Sequence, residues 1–199
     1  MSEILVLYYS QRGSVRALAQ QIARGIESVS GVGARLRTVP KVASVCTSSA
    51  PAVPESGAPY VEPADLDECS GLALGSPTRF GAMAAPMKYF WDGTITQWVN
   101  GSLVGKPACV FTASGSMHGG QETTLVSMML PLLHHGMLIV GLPFTEPALS
   151  TTRSGGTPYG VSHVAGSDGD PELSADERQL AFAQGQRLAM IARRLAGGG

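Results

Sequence analysis

The chain has 199 residues, of which 44% are hydrophobic and 15% are charged, and its formal net charge is −1. This length suits one domain with a sizeable core, and the charge balance argues against nucleic acid as a partner. Cys46, Cys69 and Cys109 form no CxxC or zinc spacing, so we predict reduced thiols in a cytoplasmic protein without a metal site. The apolar runs are too short to span a bilayer, and we expect a strand rather than a signal peptide at the first residues.

The first predicted strand, residues 4–9, runs through a short polar turn into a helical pattern over residues 14–29. The first backbone N–H groups of a helix have no partner inside the helix, and the helix dipole makes that end positive. The hydroxyls of Ser10 and Ser14 add donors, Arg12 adds charge, and Gly13 lets the backbone approach an anion. The turn therefore fits a phosphate cradle, and it also fits an ordinary turn with Ser14 as the helix N-cap.

Buried strands and amphipathic helices alternate along the rest of the chain. Further strands are predicted at residues 34–39, 70–76, 108–113 and 137–142, and further helices at 83–91, 121–135 and 175–195. Pro131 is expected to kink the second of these helices. Two proline-rich segments, residues 41–67 and 143–171, have no periodicity and are predicted to be long loops, and residues 94–103 are predicted to be irregular.

Alternation of this kind indicates a parallel sheet with helices on both faces. Right-handed crossovers favour a doubly wound arrangement, and five strands with a helix after the last one suggest the flavodoxin-like order 2-1-3-4-5. We therefore predict a single α/β domain over residues 1–199.

Three polar loops follow the carboxyl ends of predicted strands, at residues 10–14, 76–81 and 113–120. Ligands of doubly wound proteins bind outside these ends, where the strand order reverses. The first loop is expected to hold a phosphate. The other two are expected to offer backbone N–H and C=O groups to a planar ring, with Phe80 packing near that ring.

Several motifs occur together in an order that is familiar: LVLYYSQRGSV, LGSPTRFG, GGQETT, LLHHGM and GGTPYG. Over residues 4 to about 169 the chain resembles the WrbA family of FMN-dependent NAD(P)H:quinone oxidoreductases. The resemblance implies a flavodoxin-like fold, noncovalently bound FMN and a homotetramer. It also implies two-electron reduction of quinones by NADH or NADPH, through ping-pong hydride transfer.

The resemblance further implies the residues of the site. The FMN phosphate would be held by Ser10, Gln11, Arg12, Gly13, Ser14 and Val15. The ribityl chain and ring would contact Pro77, Thr78, Arg79, Phe80 and Gly81. The polar edge of the ring would be lined by Ala113, Ser114, Gly115, Ser116, Met117, His118 and Gly119. His134 would approach the flavin from a neighbouring subunit, and Trp98 and Arg12 would contact the substrates. No catalytic side chain is assigned, because the flavin performs the chemistry.

Two features depart from the family pattern. Arg12 stands where the family often has a tyrosine, and the third loop, ASGSMHGG, looks one residue longer and adds His118. His163 has no obvious carboxylate partner nearby in the sequence and receives no role. Arg79 also fits a plain surface cation, and an oligomer contact is the rival explanation for Trp98.

The resemblance thus implies an NAD(P)H:quinone oxidoreductase. Two alternatives stay open, namely a flavodoxin-type one-electron carrier and a partner-binding flavoprotein. Flavodoxin-type carriers dock their partners through strong acidic surface fields, and a net charge of only −1 argues against that class.

Overall fold

A parallel sheet forms the centre of the molecule. The computed structural model describes residues 2–43 and 53–197. The strands are β1 (Ser2–Tyr8), β2 (Val32–Thr38), β3 (Gly71–Arg79), β4 (Ala82–Met83), β5 (Pro107–Ser114), β6 (Leu138–Ile139) and β7 (Ser162–Val164). The helices are α1 (Ser14–Glu27), α2 (Pro63–Glu68), α3 (Ala85–Asp92), α4 (Ile95–Val99), α5 (Gln121–His134), α6 (Ala148–Thr151) and α7 (Ala175–Ala196).

The order of strands confirms the α/β class with a parallel sheet and corrects its detail. Over the described residues the sheet has seven strands, with the order β2-β1-β3-β5-β6, and not the five strands in the order 2-1-3-4-5 that we expected. The two added strands are β4, which pairs antiparallel with β3, and β7, which pairs parallel with β5 beyond β6. Strands of two or three residues are too short to show an alternating pattern in a sequence.

Three predicted irregular segments contain regular structure. The segment 41–67 includes most of α2, the segment 94–103 includes α4, and the segment 143–171 includes α6 and β7. Residues 44–52 of the first segment, with Cys46, lie outside the described residues. Helix α2 is short and starts at a proline, and it is fixed from the neighbouring strand because Arg37 Nε donates to Asp65 Oδ2 over 2.9 Å.

Alternate residues of β1 supply the two layers of the core. Ile4 and Val6 pack in the layer that contains α1 and α7, whereas Leu5 and Leu7 pack in the layer that contains α3 and α5. All four side chains are fully buried. The sheet is therefore covered on both faces, and its carboxyl edge is left for the loops. Within the described residues, none of the helices combines the length and apolarity that a bilayer crossing requires.

A side chain completes the hydrogen bonding of β5 between its short pairings with β6 and β7. Gln184 of α7 is fully buried; its Oε1 accepts from the Val161 N–H over 2.6 Å, and its Nε2 donates to the Val110 carbonyl over 2.9 Å. Gln184→Leu leaves both backbone groups buried without a partner, so we expect the free energy of unfolding to fall by about 3 kcal/mol. Urea denaturation measures the loss.

The matched control for this change is Gln179→Leu, at an exposed position of the same helix, which should alter the free energy of unfolding by less than about 0.5 kcal/mol. Equal stability of the two variants would show that Gln184 does not serve the sheet edge.

Candidate functional site

A cavity of about 320 Å³ opens at the carboxyl edge of the sheet. The structure brings three predicted loops together there, because strands β1, β3 and β5 are adjacent and parallel. Lining residues from these loops are Ser10, Gln11, Arg12, Ser14, Val15, Pro77, Thr78, Arg79, Ala113, Ser114 and Gly115. Of the other predicted site residues, those that lie outside this lining are Gly13, Phe80, Gly81, Ser116, Met117, His118, Gly119, Trp98 and His134.

The turn between β1 and α1 has the geometry of an anion cradle. Gly13 is the N-cap of α1 and has φ +101°, a left-handed conformation that favours glycine. The alternative with Ser14 as N-cap is therefore wrong. The Ser10 hydroxyl accepts from the backbone N–H groups of Gly13, over 3.2 Å, and Arg16, over 3.3 Å. The N–H groups of Ser14 and Val15 find no acceptor among the described residues and remain available to a ligand.

The cavity is electropositive. Its lining within the described residues includes Arg12 and Arg79 and no carboxylate side chain. Arg79 joins the second loop to the first, because its guanidinium donates to the Thr78 carbonyl over 2.7 Å and to the Gln11 side-chain oxygen. Since the helix dipole adds partial positive charge at the same place, a phosphate group suits this end of the cavity.

Two hydrogen bonds fix the second loop, residues 76–81. The Ala84 N–H donates to the Ser76 hydroxyl over 2.8 Å, and the Thr124 hydroxyl bonds the Thr78 hydroxyl over 2.7 Å. Phe80 follows with φ +56° and a fully exposed side chain. A non-glycine residue in this left-handed region stores backbone strain, and such residues are concentrated at binding sites.

The third loop carries a second strained residue, His118, which also has φ +56° and is exposed. Two hydrogen bonds stabilise this loop, because the Ser116 carbonyl accepts from the Ser114 hydroxyl and from Gln121 Nε2, each over 2.8 Å. Ser114 and Gly115 line the cavity, and the residues beyond them lie outside the lining.

A fourth loop also lines the cavity, and sequence reasoning did not assign it to the site. Its lining residues are Ala165, Gly166, Ser167 and Gly169. The loop follows β7 and is rich in glycine and serine, as the other three loops are. This signal was present in the sequence, but the three-residue strand before it could not be recognised.

His163 has a carboxylate partner, which corrects the expectation that it has none nearby. His163 Nδ1 lies 2.9 Å from Glu177 Oε2, and both side chains are buried. Burial lowers the pKa of His163, whereas hydrogen bonds to Glu177 and to the Asp170 carbonyl raise it. The hydrogen bonds together outweigh the burial, so the pKa lies above its ordinary value. Burial raises the pKa of Glu177, but hydrogen bonds from His163 and from the Ser174 N–H bring it down to about 2.

Trp98 and His134 are in contact with each other. The indole N–H of Trp98 donates to the His134 carbonyl over 2.9 Å, and both residues are exposed. His135 is instead buried, with Nε2 3.1 Å from the Thr94 hydroxyl, so the adjacent histidines point in different directions.

The sheet order and the loops at its carboxyl edge define a flavodoxin-like α/β protein with a polar cavity at that edge. Residues 2–145 match the family described as NADPH-dependent FMN reductase. The chain belongs to this family.

Individual relatives agree with this assignment. The chain is 44% identical, over 99% of its own length and 100% of the relative's, to a protein of Chromohalobacter salexigens named NAD(P)H dehydrogenase (quinone). A flavodoxin, WrbA-like protein from Agrobacterium tumefaciens has a similar structure, with a TM-score of 0.67 and 24% identity over 98% of this chain and 99% of that one. Oxidised Flavodoxin 1 from Bacillus cereus gives a TM-score of 0.61 and 15% identity over 95% of this chain and 98% of that one.

Proposed function

We propose that the protein is an FMN-dependent NAD(P)H:quinone oxidoreductase of the WrbA type. The observation that carries the proposal is the electropositive cavity at the carboxyl edge of the sheet, with unpaired helix N–H groups at one end. The 44% sequence identity between this chain and a relative named NAD(P)H dehydrogenase (quinone) supports the proposed reaction. Its membership of a family named for NADPH and FMN supports the cofactor.

The residues present fit FMN. The N–H groups of Ser14 and Val15 and the charge of Arg12 suit its phosphate. Thr78 and Arg79 line the cavity, and their polar groups suit the ribityl chain. When bound, FMN supplies the transfer of two electrons from a nicotinamide nucleotide to a quinone.

The protein's own contribution to the reaction is position and electrostatics. Backbone N–H groups of the loop that starts at Ser114 would stabilise negative charge at the polar edge of the ring. The exposed ring of Phe80 offers an apolar surface at the mouth of the site, where a flat ligand can pack. One mouth then receives the nucleotide and the quinone in turn, as a ping-pong reaction requires.

The alternatives have less support. A one-electron carrier of the flavodoxin type needs an acidic docking field, whereas the net charge is only −1 and the described cavity lining carries arginines rather than carboxylates. No feature of the described residues favours the other alternative, a partner-binding flavoprotein.

The homotetramer and the cytoplasmic location are part of the same proposal. Exposed apolar side chains near Trp98 and His134, among them Val99, Leu130 and Leu133, suit a subunit interface that would bring His134 to a neighbouring flavin. Sedimentation of the protein checks the assembly. The free thiol of Cys109 fits a reducing compartment, and burial raises its pKa to about 12.

The test of the reaction is stopped-flow mixing of the FMN-loaded protein with NADH or NADPH, followed by benzoquinone. We expect the flavin band near ~450 nm to bleach quickly with one of the nucleotides and to recover fully with the quinone. Free FMN mixed with the same reagents is the control for direct reduction. Bleaching no faster than in this control, with either nucleotide, would contradict the proposal and favour the electron carrier.

A further inference from the structure

The imidazole of His163 faces a hydrogen-bond acceptor on each side. Nε2 lies 2.8 Å from the Asp170 carbonyl oxygen, which can only accept, and Nδ1 lies 2.9 Å from the Glu177 carboxylate. The side chains of His163 and Glu177 are only 3% and 1% exposed, so bulk water does not donate hydrogen bonds to these two acceptors in place of the imidazole. A neutral imidazole has a single N–H and can satisfy only one of the two acceptors.

Glu177 is ionised by its own surroundings. Its Oε1 accepts from the N–H groups of Gly155, over 2.8 Å, and Val164, over 3.1 Å, and its Oε2 accepts from the Ser174 N–H over 2.8 Å. A carboxyl group that accepts several backbone N–H bonds keeps its charge. The geometry therefore requires that His163 donates from both nitrogens, as an imidazolium.

This imidazolium lies beneath the fourth loop of the cavity. The loop is closed by the Asp170 N–H, which donates to the Ala165 carbonyl over 2.8 Å. The Asp170 carbonyl faces His163 Nε2. The next residue, Pro171, packs against the phosphate turn, because a Cβ on Gly13 would lie 3.3 Å from the Pro171 Cβ. His163 thus joins this loop to the start of α7 through Glu177.

We propose that His163 is a positioning residue of the FMN site, whose imidazolium, held by Glu177, fixes the loop 165–170 against the phosphate-binding turn. This inference rests on the proposed function, since it assumes that FMN occupies the cavity. Loss of the second proton leaves the Asp170 carbonyl with only the long contact from the Ser14 hydroxyl, at 3.5 Å, which loosens the loop and weakens FMN binding.

The direction of the pH dependence follows from the surroundings of His163. The charged groups that face it are Glu177 from α7 and Asp170 from the loop. β5 presents Ala113 in register with it, and α1 presents the Ser14 hydroxyl, 3.5 Å from the Asp170 carbonyl; neither titrates in this range. Folding raises the pKa of His163. The stabilisation of the loop by the imidazolium is therefore complete below about pH 6.5, and it is lost as the pH rises through the pKa of His163 in the folded protein.

The first measurement is the ¹⁵N spectrum of the histidine rings in the FMN-free protein. We expect both ring nitrogens of His163 to carry protons at about pH 7, where an ordinary histidine is mostly neutral. A neutral ring in wild-type protein that does bind FMN overturns this inference and leaves the proposed function standing. If the wild-type protein binds no FMN, the proposed function fails, and the positioning role fails with it.

The second measurement is FMN affinity between about pH 6 and pH 9 for two variants. His163→Gln should bind FMN at least about tenfold more weakly than wild type at the acidic end, and the difference should shrink as the pH rises. In Glu177→Gln the carboxamide can donate to Nδ1 of a neutral imidazole, whose Nε2–H still donates to the Asp170 carbonyl, so FMN binding by this variant should lose the pH dependence. At each pH the dissociation constant of the variant is divided by that of wild type, so that the effect of FMN's own ionisation cancels.

Glu172→Gln is the matched control, because it removes an exposed acid from the same segment without touching His163. It should keep the wild-type affinity and pH profile. If His163→Gln or Glu177→Gln also keeps them, His163 does not position the site.

Discussion

Gly185→Ala should lower the free energy of unfolding by about 3 kcal/mol, although alanine is the better helix former. Helices α1 and α7 cross with their backbones in contact at two glycines. A Cβ on Gly185 would lie 2.0 Å from the Ile22 carbonyl oxygen, and a Cβ on Gly25 would lie 2.0 Å from the Phe182 carbonyl oxygen. Backbone cannot rotate away as a side chain can, so the helices must separate and lose packing along their length.

Urea denaturation of the FMN-free protein measures this loss. Gln179→Ala, at an exposed position of α7, is the control and should change the free energy of unfolding by less than about 0.5 kcal/mol. A gain of stability in Gly185→Ala, as helix propensity alone predicts, would show that the two helices do not approach so closely. The crossing matters for the site because α1 begins at the phosphate turn and α7 begins beside Glu177.

The layers of the fold could be predicted from the sequence because long apolar runs and helical spacing report burial directly. The run at residues 4–9 corresponds to β1, and the helical pattern at 175–195 corresponds to α7. The last predicted strand, 137–142, is reduced to the two residues of β6, and the remaining edge of β5 is completed by β7 and by Gln184. Pairing of this kind depends on distant parts of the chain and leaves no local pattern.

The candidate site divides in the same way. Three of its loops could be found because each follows a recognisable strand, and the topology places those strands side by side. The pairing of His163 with Glu177 could not be found, because it joins β7 to α7 and only the fold brings the two side chains together. The role of Gly13 at the start of α1 depends on a left-handed backbone, whereas by residue type Ser14 is the better N-cap.

Ser14→Asp should weaken FMN binding at least about 1000-fold while leaving the FMN-free protein folded. Ser14 is the first residue of α1 and lines the cavity. A carboxylate there interacts favourably with the helix N-terminus, by about 0.5 kcal/mol, and takes the place that the phosphate would need. At about 5 Å and an effective dielectric constant near 20, each pair of like charges repels by roughly 3 kcal/mol, and the FMN phosphate carries up to two.

Fluorescence titration with FMN and thermal melting of the FMN-free variant separate the two effects. Ser30→Asp adds the same charge at an exposed position after α1 and should bind FMN as wild type does. Riboflavin, which lacks the phosphate, should bind Ser14→Asp and wild type with similar affinity, because the repulsion acts on the phosphate alone. If Ser14→Asp binds FMN within about tenfold of wild type, a difference of only ~1.4 kcal/mol, the phosphate does not lie at the start of α1.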